Sequence, residues 1–210
     1  MTEIDKILDI IKIHPLKVRN IYRYGSRVYG NANEYSDHDF IVVASNLIEK
    51  QEYKVNLYNI HVITPDVFIR DLKNLDMYAL ECIYATDSAR LQEKIVLPDK
   101  NFKYTTEQLK YRGHGLSFNA FQKAKERIRT GDLYRGAKSI YHSFRILDFF
   151  NQIKENGKIV DFSSSNYIWD MIDEDLKLNK ISWSYYKEKY LPLKIEFEEK
   201  LKYENVHSKG

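Results

Sequence analysis

Cysteine is nearly absent from this 210-residue sequence, in which Cys82 is the single example. One cysteine cannot form an internal disulfide, so a reducing, cytoplasmic environment is expected. No apolar run approaches the roughly 20 residues that a membrane-spanning helix needs. The first residues also lack the pattern of a signal peptide. We therefore expect a cytoplasmic protein with no membrane partner.

A strong excess of either charge is also lacking. The sequence carries 33 Lys and Arg against 30 Asp and Glu, a formal net charge of +3. This balance permits an RNA or nucleotide partner without requiring one, because a nucleic-acid surface depends on clustered charge rather than total charge. Hydrophobic residues make up 43% of the chain, so one large core or two small cores can form.

The first half of the chain mixes strand and helix patterns. Strands are predicted over Val18–Tyr24, Asp37–Ala44 and Glu52–Thr64, separated by short helices, and a further helix is predicted over residues 75–91. Short strands joined in this way predict a small mixed β-sheet covered by helices.

The second half has helical periodicity throughout. Helices are predicted from Thr105 or Thr106 to Arg129, over residues 133–156 with Gly157 as C-cap, over residues 163–180, and from Ser182 or Ser184 past Pro192. The sequence therefore predicts an α+β protein. Its domains would be residues 1–97, an α/β unit, and residues 98–210, a helical unit that closes a cleft over the first.

The segment from Tyr22 to Val43 concentrates the residues that suggest chemistry: YRYGSRVYGNANEYSDHDFIVV. Gly25 lets the backbone approach a phosphate closely. Ser26 adds a hydroxyl group where a short helix begins, and Arg27 could neutralise a triphosphate. Gly30 and Ser36 complete the candidate nucleotide-binding residues of this segment.

Asp37 and Asp39 follow this turn at a spacing of two residues. On a strand, such residues point to the same face, whereas His38 between them points to the other. Two converging carboxylates suit a hard divalent cation such as Mg²⁺ or Mn²⁺. In nucleotidyl transfer, cations stabilise the phosphoryl charge and the protein needs no nucleophile of its own.

This Gly-Ser, spacer and Asp-x-Asp pattern resembles the nucleotidyltransferase superfamily of DNA polymerase beta. It is most similar to predicted nucleotidyltransferases linked to RNA-repair operons, the RlaP/YcgL-type family. The resemblance implies an enzyme of EC class 2.7.7 that binds an NTP such as ATP. It would transfer an NMP to an acceptor such as RNA or tRNA and release pyrophosphate. A Lys-x-x-x-His-x-x-Arg pattern, here Lys138, His142 and Arg145, would face the nucleotide.

One part of the superfamily pattern is missing. A third carboxylate is expected on the neighbouring strand, where this sequence has Asn59, which offers no charge. Glu52 or Asp66 could supply the group, or His61 could act as ligand or base. Alternatively, the protein is a nucleotide- or RNA-binding module with weak catalysis.

A further alternative is ribonuclease activity in the helical half. Arg135 and His142 have a spacing that resembles that of the HEPN nucleases.

Overall fold

A computed structural model describes residues 1–47, 49–96, 102–180 and 182–202. The chain forms two compact units, Met1–Lys103 and Tyr104–Gly210. The domain boundary predicted after residue 97 lies outside the described residues. In the described part of the chain, no helix is both long enough and apolar enough to cross a membrane.

The first unit is a five-stranded sheet with four helices in its described residues. The elements are α1 (Glu3–Ile11), β1 (Val18–Tyr24), α2 (Ser26–Tyr29), β2 (His38–Ala44), β3 (Gln51–Val55), β4 (Tyr58–Ile63), α3 (Pro65–Lys73), α4 (Met77–Ile83) and β5 (Arg90–Glu93). The strand order is β3-β4-β2-β1-β5. Strands β2 and β4 are parallel, and the other neighbouring pairs are antiparallel. The predicted α+β class with a small mixed sheet is confirmed.

Two predicted elements of this unit are wrong. The segment Glu52–Thr64 is not one strand but a hairpin, β3 and β4, that turns at Asn56. Asn56 has φ of 53°, a left-handed conformation that Asn tolerates better than most residues. The helix predicted over residues 75–91 ends at Ile83, and β5 follows it. This edge strand has the polar sequence RLQE, which lacks the apolar alternation of a half-buried strand.

The two faces of the sheet are covered by different helices. On one face, α1 packs Ile7 and Ile11 against a buried layer from the strands: Val18, Ile21, Phe40, Val42, Ala44, Ile60 and Val62. On the other face, Phe68 of α3 stacks on Tyr22 of β1, with ring centroids 6.0 Å apart. We call this second face the Asp39 face, because Tyr24, Asp39 and Asn59 point to it.

The second unit contains only helices in its described residues. They are α5 (Thr106–Arg129), α6 (Leu133–Asn156), α7 (Asn166–Lys177) and α8 (Trp183–Lys202). Helices α5 and α6 begin and end close to their predicted limits. A Cβ atom on Gly136 of α6 would lie 2.5 Å from the Ile128 side chain of α5. The glycine therefore allows these two helices to pack closely.

A buried carboxylate joins α7 to α8. Asp175 is 2% exposed and accepts hydrogen bonds from Tyr185 at 2.8 Å, Lys189 at 2.8 Å and Tyr190 at 2.7 Å. Burial alone raises the pKa of Asp175, but these hydrogen bonds outweigh it and hold the pKa below its ordinary value. The ionised carboxylate therefore stabilises the folded state.

Asp175→Ala should lower the free energy of unfolding by about 3 kcal/mol, because it leaves buried donors without an acceptor. The folded-state pKa is depressed, so the stabilisation is present at neutral pH and is lost as the pH falls below about 4. Urea unfolding at several pH values measures both effects.

The matched control is Asp173→Asn on the same helix, which removes an exposed pair with Lys177. It should change stability by less than about 1 kcal/mol. Equal effects of the two substitutions would contradict the role given to Asp175.

Candidate active site

A row of polar side chains crosses the Asp39 face at one level of the sheet. Asp39 of β2 lies opposite Tyr24 of β1 and opposite Asn59 of β4, and Asn59 lies opposite Lys54 of β3. Residues paired directly across neighbouring strands point to the same face. The register therefore brings the Asp-x-Asp segment and the expected third position together.

The glycine of the Gly-Ser turn lies against Asp39. Gly25 has φ of +79°, and a Cβ atom there would lie 2.4 Å from Asp39 Oδ2. Both the backbone conformation and this close approach require glycine. Ser26 begins α2, and Gly30, with φ of +80°, ends it in a left-handed conformation. The two predicted glycines therefore set the limits of the turn beside Asp39.

Asn59 forms a hydrogen bond with Asp39 but not through its carbonyl oxygen. Asn59 Nδ2 donates to Asp39 Oδ1 at 2.8 Å, as it must, because an ionised carboxylate only accepts. Within the described residues, Asn59 Oδ1 is buried and accepts no hydrogen bond. Asn59 therefore orients Asp39 instead of adding a third negative charge.

Asp37 lies one residue before β2 and is exposed. Its charge reaches the same row: the pKa of Lys54 is raised, first by a hydrogen bond to Glu52 and further by Asp37. Burial, and then the charge of Asp39, raises the pKa of Tyr24. Asp37 and Asp39 thus both act electrostatically on residues of this row.

The donor set fits a hard cation with few protein ligands. No group of three or more His, Cys, Asp or Glu side chains is arranged to hold a metal within the described residues. Asp37 and Asp39 are two carboxylates, and Mg²⁺ commonly takes one or two together with water and substrate phosphates. These two side chains are the ones that could hold such an ion.

Arg27 and Ser36 hold the loop before β2. The Arg27 guanidinium donates to the carbonyl oxygens of Ser36 at 2.7 Å and Asp37 at 3.3 Å. The Ser36 hydroxyl accepts from the backbone N–H of Asn33 at 2.9 Å. In this conformation both residues position the Asp37 segment, a role that their spacing did not predict.

The proposed substitutes for the third carboxylate lie at different places. Asp66 is in the first turn of α3, which follows the end of β4 that is farther from Asn59. Glu52 and His61 are paired across β3 and β4, one row along the strands from Asn59 on the same face. The fold thus removes Asp66 from the site and leaves Glu52 and His61 beside it.

The predicted cationic surface of the helical unit has fewer charges than expected. Arg145 donates to His142 Nδ1 at 2.7 Å, because a guanidinium cannot accept. Burial, followed by the charges of Arg145 and Lys123, lowers the pKa of His142 to about 3. The Lys138 ammonium is exposed and lies 4.8 Å from the Tyr134 ring centroid. At neutral pH, only Lys138 and Arg145 of the three predicted residues are charged.

The Arg135 and His142 pair of the ribonuclease alternative is not joined in the described helices. Arg135 is exposed and lies 3.7 Å from Asp132, while His142 bonds to Arg145. The pKa of about 3 also keeps His142 a neutral imidazole at neutral pH, and not the imidazolium that would act as a general acid.

One supporting contact was not predicted from the sequence. Tyr29 of α2 donates a 2.5 Å hydrogen bond to Glu81 of α4, and both side chains are buried. Glu81 interrupts an otherwise apolar helix between Leu80 and Cys82. A carboxylate in such a position needs a partner, and this was the signal available in the sequence.

Comparison with known families finds a match within the first unit. Residues 4–91 match a family described as a nucleotidyltransferase domain. The match covers less than half of the chain, and it contains Gly25, Ser26, Asp37, Asp39 and Asn59. Together with the geometry of these residues, it supports the polymerase beta-like superfamily and nucleotidyl transfer as the class of activity.

Two solved structures are similar over most of the chain. One is a spectinomycin adenyltransferase AAD(9) from Enterococcus faecialis, crystallised with ATP and spectinomycin. It has a TM-score of 0.48 and 15% identity, over 95% of this chain and 98% of that one. The other is a nucleotidyltransferase-like protein from Exiguobacterium sibiricum, with a TM-score of 0.31 and 16% identity, over 94% and 72%. No curated protein matches the chain. At these TM-scores the two structures assign neither substrate nor activity.

Gly25→Ala should displace the Asp39 carboxylate and abolish binding of Mg²⁺–ATP, because its Cβ atom would overlap Oδ2. The strained backbone should also cost about 1–3 kcal/mol of stability. Equilibrium ATP binding and urea unfolding measure the two effects.

Gly131→Ala is the matched control, since Gly131 has φ of +87° and open space around its Cβ position. It should lose stability but keep ATP binding. If Gly25→Ala also kept ATP binding, the close approach of Gly25 to Asp39 would have no functional role.

Proposed function

We propose that this protein is a metal-dependent nucleotidyltransferase that moves an NMP from an NTP to an acceptor hydroxyl group and releases pyrophosphate. The observation that carries the proposal is the position of Asp39, held between Gly25 of the Gly-Ser turn and Asn59 of the neighbouring strand. The match of residues 4–91 to a nucleotidyltransferase domain supports it.

The site residues would have two roles, one in binding the phosphates of the nucleotide and the other in holding the cation. The backbone at Gly25 and the hydroxyl of Ser26 would bind the phosphates, since glycine permits a close approach there. Asp37 and Asp39 would hold Mg²⁺ or Mn²⁺. The bound cation supplies charge neutralisation at the phosphoryl oxygens. Asn59 keeps Asp39 oriented through its amide group.

A second candidate function is nucleotide binding without efficient transfer. The observation that favours it is the amide of Asn59 at the position of the third carboxylate. Such a module would bind NTP as tightly as the enzyme does but would label no acceptor.

For the acceptor, the resemblance to the RlaP/YcgL-type family supports the end of an RNA or tRNA. Contact of Lys138 and Arg145 with the acceptor or the nucleotide stays a prediction from the same resemblance, and the Arg145 side chain is buried in the helical unit. The neutral His142 ring adds no charge to such a contact.

The test is transfer of label from each [α-³²P]NTP, with Mg²⁺ or Mn²⁺, to RNA and to small-molecule acceptors. Asp39→Ala should reduce transfer by about 100-fold or more, because the cation that stabilises the phosphoryl charge loses its ligand. Asp9→Ala, which removes an exposed partner of Lys12 outside the site, should transfer like the wild type.

Equilibrium binding of each NTP separates the two candidates. Binding with transfer supports the enzyme, binding without transfer to any acceptor supports the binding module, and the absence of binding contradicts both.

A further inference from the structure

The Asp39 face contains a cavity that the nucleotide-binding residues do not use. Its volume is about 310 Å³, and its lining includes Tyr24, Ile41, Glu52, His61, Ile63 and Tyr78. Sites for small molecules in proteins begin at about 300 Å³ and combine apolar walls with a few polar groups. The cavity has both the size and the composition of such a site.

The cavity adjoins the candidate active site along the strands. Its floor is formed by Ile41 of β2 and by His61 and Ile63 of β4. Ile41 follows Asp39 along β2, and His61 and Ile63 follow Asn59 along β4, all on the same face. Each step of two residues along a strand moves about 7 Å. Tyr24, which lies opposite Asp39, also lines the cavity, and its ring centroid is 6.4 Å from that of His61. A molecule in the cavity would therefore reach the Asp39 row.

We propose that this cavity binds the acceptor of the nucleotidyl transfer and that His61 accepts the proton from the acceptor hydroxyl group. This inference rests on the proposed function. It assigns to His61 the proton-accepting role that the superfamily gives to the third carboxylate and that the Asn59 amide cannot perform.

The ring nitrogens and the surroundings of His61 suit a proton acceptor. Within the described residues, no hydrogen bond or ion pair engages its ring nitrogens, and the side chain is only partly buried. Glu52 is its partner across β3 and β4, and the charge of His61 contributes to the lowered pKa of Glu52, after the larger effect of Lys54. Glu52 therefore places a carboxylate beside the proposed proton acceptor.

The proposed transfer step exchanges one phosphorus–oxygen bond for another. The acceptor oxygen forms a bond to the α-phosphorus while the bond from that phosphorus to the bridging oxygen of pyrophosphate breaks. The hydroxyl proton moves to a ring nitrogen of His61, and the electron pair of the broken bond leaves with pyrophosphate. Solvent later removes the proton from the imidazolium, which restores His61 for the next turnover.

The lining also selects the class of acceptor. Its one lysine, Lys50, is paired with Asp71 at 3.1 Å, and Glu52 adds a negative charge beside His61. Binding of a phosphodiester chain depends on available cations, and the described lining supplies no unpaired one. Two tyrosines and two isoleucines instead suit the body of a small molecule. The cavity therefore favours a small hydroxylated acceptor, neutral or cationic, over the RNA or tRNA end that the family resemblance supports.

In the experiment, the protein and [α-³²P]ATP are added separately to two fractions of the expressing cells, a low-molecular-mass filtrate and total RNA. Transfer of the label to a compound in each fraction is then measured. The wild type should label a compound in the filtrate. His61→Gln should lower the turnover number by about 100-fold, the typical contribution of a general base, with unchanged Kd for ATP. His14→Gln, which alters an exposed histidine outside the site, should behave like the wild type.

Glu52→Lys is a second variant that does not perturb the core, because Glu52 is exposed. It should raise the KM for the low-molecular-mass acceptor and leave ATP binding unchanged. Label that enters only RNA, or equal labelling of the filtrate by wild type and His61→Gln, would overturn the inference while the proposed function stands. Failure to bind or turn over any NTP would instead contradict the proposed function.

Discussion

The candidate site depends on one packed contact, the Asp39 carboxylate held between Gly25 and Asn59. Gly25 leaves room for the carboxylate only because it has no side chain, and Asn59 fixes the other oxygen with a hydrogen bond. The contact needs three strand ends at one level of the sheet. The parallel register of β2 and β4 and the antiparallel register of β1 and β2 supply that alignment.

The same alignment explains why the two faces of the sheet differ. On the face covered by α1, strand residues such as Ile21 and Phe40 form a closed apolar layer. On the Asp39 face, α3 and α4 cover only part of the sheet, and the polar row and the cavity occupy the rest. A single period-two alternation in β2 thus places Phe40 in the core and Asp39 in the site.

Local sequence signals predicted the elements with clear boundaries. Strand β1 has the predicted limits, and α6 ends before Gly157 as its C-cap pattern indicates. Such signals fail where an element depends on its neighbours. The turn at Asn56 interrupts a continuous strand-like pattern, and β5 is a strand because it pairs with β1, not because of its own residues.

The site was predictable to a similar degree. The Gly-Ser turn, the aspartate pair and the position of Asn59 follow from spacing along the chain. The direction of the Asn59 amide, the neutral state of His142 and the cavity at His61 depend on side chains that are distant in sequence. For His142, burial beside Arg145 determines the charge, and no helical spacing encodes that effect.

The most direct test of the site is a Mn²⁺ titration followed by electron paramagnetic resonance, with and without the unreactive analogue α,β-methylene-ATP. Two carboxylates without a third should bind the ion weakly alone, and phosphate oxygens should complete its ligands. We expect Mn²⁺ binding at least about 10-fold tighter with the analogue, a coupling free energy of about 1.4 kcal/mol. Mn²⁺ affinity that does not change when the analogue binds would contradict a shared metal and nucleotide site at Asp37 and Asp39.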